Sequence, residues 1–225
     1  MNQDVKVTCH NKPFPYSYVE NVYSDEELEL IWKELDYYQS QKDMFFDADA
    51  NMSAGAKLAG VSLKKNRGFF MQEVYSSARH SPLIKATGGL FGPQLFQQRE
   101  SHLFDEFHPM MKGFLLSYYE DGDYYQSHKD QDVASIVIWL WKDPKQFEGG
   151  NFSFTEYPDL KIENRHNCAV MFPGYIKHQV NTVKMEEENL GCGLGRYSCT
   201  LFLDHLVEQP QQQQPLNPNY QVGNR

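Results

Sequence analysis

Three residues of this chain have the side chains and the spacing of a metal site. His128 and Asp130 are two positions apart, so in extended backbone both side chains point to the same face. His178 lies further along the chain, at the start of a predicted strand. Two imidazoles and one carboxylate on one face of a metal ion form a facial triad suited to non-haem iron(II), with the remaining coordination positions open. The pattern therefore predicts an iron(II) site at these three residues.

Two ordinary explanations compete with a metal site. The H-x-D spacing also arises by chance, and this chain has eight histidines. Taken alone, His178 is better explained as a capped loop histidine than as a metal ligand. The choice depends on the elements that would have to position these side chains.

The second half of the chain has the pattern of a β-sandwich or jelly roll. Short apolar, β-branched and aromatic runs alternate there with clusters of turn residues, which is unlike the spacing of βαβ units. The predicted strands span 113–119, 133–141, 151–155, 168–172, 178–183 and 196–203.

The first half is predicted to be mixed. Residues 1–23 look extended, and Ser24 with Glu27 three positions later forms a capping box for a helix. Leu28, Ile31, Trp32 and Leu35 have the helical spacing that continues it. The remaining segments are predicted as an irregular loop over 47–66, a strand over 68–76 and a helix around 95–107.

Composition bounds the class of protein. A chain of 225 residues with 40% hydrophobic residues suits one core, and we expect a single domain over 1–207 with a low-complexity, flexible Gln/Pro-rich tail over 208–225. The net charge of −9, without a block of basic residues, argues against nucleic acid as a partner. The four cysteines form no C-x-x-C pair, and neither a signal peptide nor a transmembrane stretch is evident, so we expect a cytoplasmic protein with free thiols and no membrane association.

The ordered motifs of the second half resemble the prolyl 4-hydroxylase-like branch of the 2-oxoglutarate/iron(II) oxygenase superfamily. The family pattern Y-x-x-G-x-x-Y-x-x-H-x-D is complete here, and it is followed by the family's Gly-Gly turn, its distal H-x-V and its G-x-R strand. The residues that carry the resemblance are Tyr119, Gly122, Tyr125, His128, Asp130, Gly149, Gly150, His178, Val180, Gly195 and Arg196. The N-terminal segment FPYSYVENVYSDEELELIW also looks like the family's opening strand and helix.

The resemblance implies a fold and a reaction class. The fold would be mainly β (α+β), a double-stranded β-helix or jelly roll with its core at about 112–204 and N-terminal helices packed outside. The reaction would be hydroxylation of an unactivated C–H bond, using iron(II), dioxygen and 2-oxoglutarate as co-substrate, with ascorbate as a further reductant. The substrate implied first is a prolyl residue in a peptide or protein, and a free amino acid or another small molecule is the alternative.

The co-substrate residues implied by the resemblance are Arg196, Ser198 and Tyr119. Arg196 and Ser198 share one face of a strand, and an arginine fork with a neighbouring hydroxyl suits the distal carboxylate of 2-oxoglutarate. Core packing is the alternative for Tyr119, as it is for Tyr125 and Trp139. The interval from His178 to Arg196 is longer than is usual in the family and predicts an inserted polar loop over 184–195.

Three other functions compete with this interpretation. A nucleic-acid demethylase would need a second arginine where Phe202 stands, and a halogenase would need a small residue in place of Asp130. A non-catalytic jelly-roll binding module would need neither the complete triad nor Arg196. The oxygenase is therefore the expected function.

Overall fold

The computed structural model describes residues 5–46, 57–58, 60–75, 80–91 and 107–205. The described helices are α1 (Asp25–Ser40), α2 (Lys42–Phe45), α3 (Met71–Val74) and α4 (Pro82–Thr87), with 3-10 turns at Gly88–Phe91 and Glu187–Asn189. The first strands are β1 (Lys6–His10), β2 (Tyr16–Glu20), β3 (Lys57–Leu58), β4 (Val61–Ser62), β5 (Lys64–Lys65) and β6 (Arg67–Phe70). The later strands are β7 (Pro109–Tyr119), β8 (Tyr124–His128), β9 (Ala134–Leu140), β10 (Glu148–Gly149), β11 (Phe152–Phe154), β12 (Cys168–Pro173), β13 (His178–Val180), β14 (Val183–Lys184) and β15 (Arg196–His205).

Two antiparallel sheets form the body of the protein. The major sheet has the order β1-β2-β12-β9-β15-β7-β6, and the minor sheet has the order β11-β13-β8-β5. Their facing surfaces pack through aromatic rings, with Phe152 of the minor sheet 5.4 Å from Phe172 and 5.8 Å from Trp139 of the major sheet, centroid to centroid. The expected mainly-β jelly-roll fold is confirmed.

The other face of the major sheet is covered by helices. Ile31, Leu35 and Tyr38 of α1 are fully buried in one cluster with alternate residues of β9 and β15, such as Ile138 and Leu201. Because strand side chains alternate, the remaining residues of β9 and β15 face the minor sheet. The helices therefore lie on the outside of the major sheet, away from the space between the sheets.

Helix α1 begins where the capping box predicts. The backbone N–H of Glu27 donates to the Ser24 hydroxyl at 3.2 Å, and the Ser24 N–H donates to the Glu27 carboxylate at 2.9 Å. Both donors would otherwise lack partners at a helix start.

The predicted strand over 68–76 is wrong in its second half. Strand β6 ends at Phe70, and Met71–Val74 form one helical turn. The Gln72 side chain then accepts a hydrogen bond from the Phe114 backbone N–H at 3.1 Å, which takes the place of a ladder bond. A side chain rather than the backbone thus continues the link between this segment and β7.

Two further expectations are modified by the structure, and two others fall mostly or wholly outside the described residues. The predicted strand over 178–183 is split into β13 and β14, with a register shift in its pairing to β8. The described part of 47–66 contains three two-residue strands rather than an unbroken loop. Most of the predicted helix around 95–107 and the tail over 208–225 lie outside the described residues.

Candidate metal and co-substrate site

The minor sheet brings His128, Asp130 and His178 together. His128 ends β8, His178 begins β13, and the two residues are direct cross-strand partners. Asp130 follows in the next turn, where its backbone N–H donates to the Gly174 carbonyl at 2.9 Å. One potential ligand atom from each side chain lies within 4.8 Å of the other two.

Both imidazole rings are oriented by the backbone. Nδ1 of His128 lies 2.8 Å from the Gln126 carbonyl oxygen, and Nδ1 of His178 lies 3.0 Å from that of Ile176. A carbonyl oxygen can only accept, so each Nδ1 carries the proton and each Nε2 keeps a lone pair. Both Nε2 atoms point to Asp130, each 3.7 Å from a different carboxylate oxygen.

Asp130 is held from its other side. The Ser135 hydroxyl on β9 donates to the Asp130 oxygen Oδ2, which also faces His178. This bond links the minor-sheet ligands to the major sheet and fixes the carboxylate orientation. Ser135 was not singled out in the sequence because a serine five positions after an aspartate has no distinctive signal.

Burial shifts the proton affinity of all three groups. Desolvation, followed by the charge of His178, lowers the pKa of His128 to about 4, and desolvation lowers the pKa of His178 to about 4. Burial also raises the pKa of Asp130. Both imidazoles are therefore neutral at neutral pH, which is the form that binds metals.

Aromatic rings enclose the histidines. Tyr125 stacks on His128 with centroids 3.7 Å apart, and Phe172 meets His178 edge-on at 4.8 Å. The rings limit rotation of the imidazoles. The donor set of two neutral nitrogens and one carboxylate, all pointing to one spot, fits a divalent transition metal such as iron(II).

A cavity of about 600 Å³ adjoins this cluster and is lined by all three residues. Its wall on the major sheet includes Tyr119, Ser198 and Thr200. This volume is within the range of small-ligand sites. The cluster thus opens onto a space large enough for a co-substrate.

Arg196, at the start of β15, is not among the residues that line this cavity, but it lies beside two that do: it pairs with Tyr119 and is two positions from Ser198 on the same face of the strand. It is 1% exposed, and neither Nη1 nor Nη2 has a hydrogen-bond partner among the described residues. Its guanidinium carbon is 5.1 Å from the centroid of the Tyr119 ring. Buried arginine donors are almost always paired, so these two nitrogens indicate an acceptor supplied by a ligand.

The environment of Arg196 leaves it charged. Burial lowers its pKa to about 10, and burial raises the pKa of Tyr119 to about 12. At neutral pH the pair therefore offers a cation and a neutral hydroxyl. Both are suited to a carboxylate.

Gly150, in the predicted Gly-Gly turn, leaves space for the side chain of Arg196. Gly150 has φ +64°, and a Cβ there would lie 2.9 Å from Cδ of Arg196 and 2.9 Å from Cγ2 of Val183. Only glycine combines this backbone conformation with such a close approach.

Trp139 is a further buried donor in this region. It lies across from Ser198 in the major sheet and is fully buried, and its indole nitrogen has no hydrogen-bond partner among the described residues. Sequence alone could not separate this position from ordinary core packing. Like the two Arg196 nitrogens, this unpaired N–H indicates an acceptor supplied by a ligand.

The inserted loop predicted over 184–195 is anchored within its second half and at its C-terminal end. The Gly191 N–H donates to the Glu120 carboxylate at 2.8 Å, and the Gly195 N–H donates to the Tyr118 hydroxyl at 3.1 Å. These bonds fix the entry into β15, so that Arg196 pairs with Tyr119.

Comparison with known proteins agrees with this arrangement. Residues 114–204 match the sequence model of the 2OG-Fe(II) oxygenase superfamily. No curated protein matches the chain at a significant level.

Within the described residues, no helix has the length and apolar character needed to cross a membrane.

Several solved structures share the fold at low sequence identity. A prolyl hydroxylase from Trichoplax adhaerens, in complex with a hypoxia inducible factor peptide fragment, is 14% identical with a TM-score of 0.57, over 84% of this chain and 83% of that one. A viral collagen prolyl hydroxylase from Paramecium Bursaria Chlorella virus-1 is 13% identical with a TM-score of 0.51, over 84% and 96%. A Pseudomonas putida prolyl-4-hydroxylase is 13% identical with a TM-score of 0.51, over 85% and 93%.

Proposed function

We propose that this protein is a 2OG-Fe(II) dioxygenase that hydroxylates a prolyl residue in a peptide or protein. The match of residues 114–204 to the 2OG-Fe(II) oxygenase superfamily supports this proposal. One observation carries the proposal: two neutral Nε2 atoms and one carboxylate converge within 4.8 Å beside a cavity. In this superfamily iron(II), 2-oxoglutarate and dioxygen together supply the oxidising chemistry.

His128, Asp130 and His178 would hold the metal. Their backbone and Ser135 hydrogen bonds keep the donor atoms aimed at one spot before any ion binds. Phe172, which does not line the cavity, packs against His178, and Tyr125 stacks on His128 at the cavity wall. The open side faces the cavity, where the co-substrate and the substrate would meet the metal.

Arg196, Ser198 and Tyr119 would receive the distal carboxylate of 2-oxoglutarate. Two unpaired guanidinium nitrogens supply a fork that matches two carboxylate oxygens. The Trp139 N–H, on the strand position opposite Ser198, would be an additional donor. A non-catalytic binding module would have no use for buried donors of this kind next to a complete ligand triad.

The prolyl substrate is supported by the kind of protein that shares the fold. The three structures named above, each with a TM-score above 0.5, are prolyl hydroxylases, and one of them contains a peptide. A free amino acid or other small molecule is the second candidate, since a cavity of about 600 Å³ also suits one.

The test is a turnover assay with proline-containing peptides, iron(II) and 2-oxoglutarate. We expect a mass gain of one oxygen on proline together with an equal amount of succinate, and loss of both products in His178→Ala. Succinate formation without a mass gain on any peptide, but with one on a free amino acid, would reject the peptide substrate and retain the oxygenase. Absence of succinate under every condition would reject the oxygenase itself.

A further inference from the structure

The cavity extends past the metal ligands to a pair of phenylalanine rings. Phe70, at the end of β6, and Phe202, on β15, both line it, and their ring centroids are 6.2 Å apart. We propose that these rings, with Gly113 between them, form a substrate shelf that binds an apolar side chain flanking the hydroxylated residue. This inference rests on the proposed function, because it assigns a part of the peptide to this end of the cavity.

One row of side chains on β15 becomes more exposed along the strand. This change in exposure places the shelf at the more open end of the cavity. Arg196, Ser198, Thr200 and Phe202 alternate along the strand and face the minor sheet. Arg196 and Ser198 are buried, whereas Thr200 and Phe202 are half-buried. The row thus runs from the buried Arg196 to the half-buried Phe202.

The register of the major sheet places the shelf beside the metal ligands. Phe202 pairs with Ser135 on the neighbouring strand, and the Ser135 hydroxyl bonds to Asp130. Directly opposite residues in antiparallel strands have Cβ atoms roughly 5 Å apart. If one residue of a peptide substrate were held at the metal, its neighbours in the peptide would therefore lie within reach of Phe202.

Gly113 keeps the surface between the rings open. It pairs with Phe202, and a Cβ there would lie 3.3 Å from Cε1 of Phe70, 3.4 Å from Nε2 of Gln72 and 3.4 Å from Cδ2 of Phe202. Any side chain at this position would fill the surface that the two rings border. The glycine therefore leaves room for a side chain that comes from another molecule.

Of the charged residues that line the cavity outside the metal cluster, namely Glu73, Lys112, Lys129 and Asp132, Lys112 adjoins the shelf. Lys112, the cation nearest the shelf in sequence, is 3.1 Å from Asp132 and 3.4 Å from Asp204, and these carboxylates raise its pKa. Its charge is already balanced by two acids and is not offered to an anionic ligand. Half-exposed rings beside a neutralised lysine suit an apolar residue better than an acidic one or a phosphate.

The experiment compares two capped synthetic peptides with a central proline, one flanked on both sides by leucine and one by serine. Each is titrated by calorimetry, without oxygen, into protein loaded with Mn(II) and 2-oxoglutarate, and hydroxylation is then followed by mass with iron(II). We expect wild type to bind the leucine peptide about tenfold or more tightly than the serine peptide. Phe202→Ala and Gly113→Val should lose this preference, and Phe202→Leu should retain most of it.

The control is Leu30→Ala, which removes a 52% exposed apolar side chain from α1 and should leave the preference intact. Affinity for 2-oxoglutarate should be unchanged in all variants, because the shelf lies at the other end of the row from Arg196. A preference that depends on Phe202 without any mass gain would retain the shelf and reject prolyl hydroxylation.

Three results would overturn the shelf. The first is equal affinity for the two peptides, or no binding of either, in wild type. The second is an undiminished preference in both Phe202→Ala and Gly113→Val. The third is a parallel loss of 2-oxoglutarate affinity in both variants, because the rings would then act on the co-substrate end.

Discussion

At the scale of single residues, Arg196 combines full burial, a positive charge and two nitrogens that have no hydrogen-bond partner in the described part of the chain. A carboxylate in this position would be paired inside the protein, and breaking such a pair typically costs about 3–5 kcal/mol. At about 1.4 kcal/mol per tenfold, Arg196→Ala should weaken 2-oxoglutarate binding on the order of a hundredfold or more. Arg196→Lys should be milder because it keeps the charge and loses only the fork.

The measurement is a titration of 2-oxoglutarate into iron-loaded, oxygen-free protein, following the metal-to-ligand absorption band. Lys184 provides a matched control, because it is another cation after His178 and its side chain is exposed. Lys184→Ala should bind like wild type. Wild-type affinity in Arg196→Ala would place the carboxylate partner elsewhere.

Lys64 provides a pH-dependent prediction that is independent of the co-substrate. This lysine on β5 is 8% exposed, and burial lowers its pKa from 10.5 to about 8. Between these values the unfolded chain holds the proton and the folded chain does not, so stability should rise with pH across this window. The full difference corresponds to on the order of 3 kcal/mol.

The free energy of unfolding, measured by urea at pH 7.5 to 10, should rise in wild type relative to Lys64→Met. Comparison with this variant removes the contribution of the tyrosines that titrate in the same range. The neighbouring Lys65 is exposed, so Lys65→Met should keep the wild-type pH profile. Parallel profiles for wild type and Lys64→Met would show that the lysine is solvated in solution.

At the scale of elements, the start of α1 depends on a reciprocal pair of hydrogen bonds between Ser24 and Glu27. Ser24→Ala should lower the free energy of unfolding by about 1 kcal/mol, because it leaves a helix N–H without its partner. Ser40→Ala, at the other end of the same helix, removes a hydroxyl that bonds to the Tyr37 carbonyl on the surface and should cost less than about 0.5 kcal/mol. Equal losses in the two variants would show that the cap does not contribute specifically.

Elements with strong local signals were predictable from sequence. Helix α1 follows from its cap and apolar spacing, and the buried strands β7, β9, β12 and β15 follow from continuous apolar runs. The turn at Met71–Val74 was missed because Gln72 bonds to a backbone group 42 positions away. No local pattern encodes a contact of that separation.

Some features of the candidate site were likewise predictable from the sequence, and others were not. The spacing of His128 and Asp130, and the alternation of Arg196 with Ser198, are visible in the sequence. The Ser135 bond to Asp130 and the contact of Gly150 with Arg196 depend on how strands pair, so only the fold discloses them. The shelf residues Phe70, Gly113 and Phe202 come from three different strands and have no shared motif.

At the scale of the whole molecule, metal binding should stabilise the folded state. A ligand present at a hundred times its dissociation constant adds about 2.7 kcal/mol. For a chain of this size that corresponds to a rise of roughly 5–10 °C in the melting temperature. Mn(II) is a suitable probe because it takes the same kinds of ligand.

Thermal unfolding with and without Mn(II) should show this rise in wild type and little of it in His178→Ala. The control is His205→Ala, which removes an exposed histidine at the end of β15. An undiminished rise in His178→Ala would mean that the ion binds at another place.

The division of the site between the two sheets has a mechanical consequence. The candidate metal ligands His128 and His178 belong to the minor sheet, whereas Arg196 belongs to the major sheet. A co-substrate bound to the metal at one end and to Arg196 at the other would act as a cross-brace between the layers. Pulling the layers apart, for example with force applied through residues on β8 and β15, should then require more work in the loaded protein than in the metal-loaded protein without co-substrate.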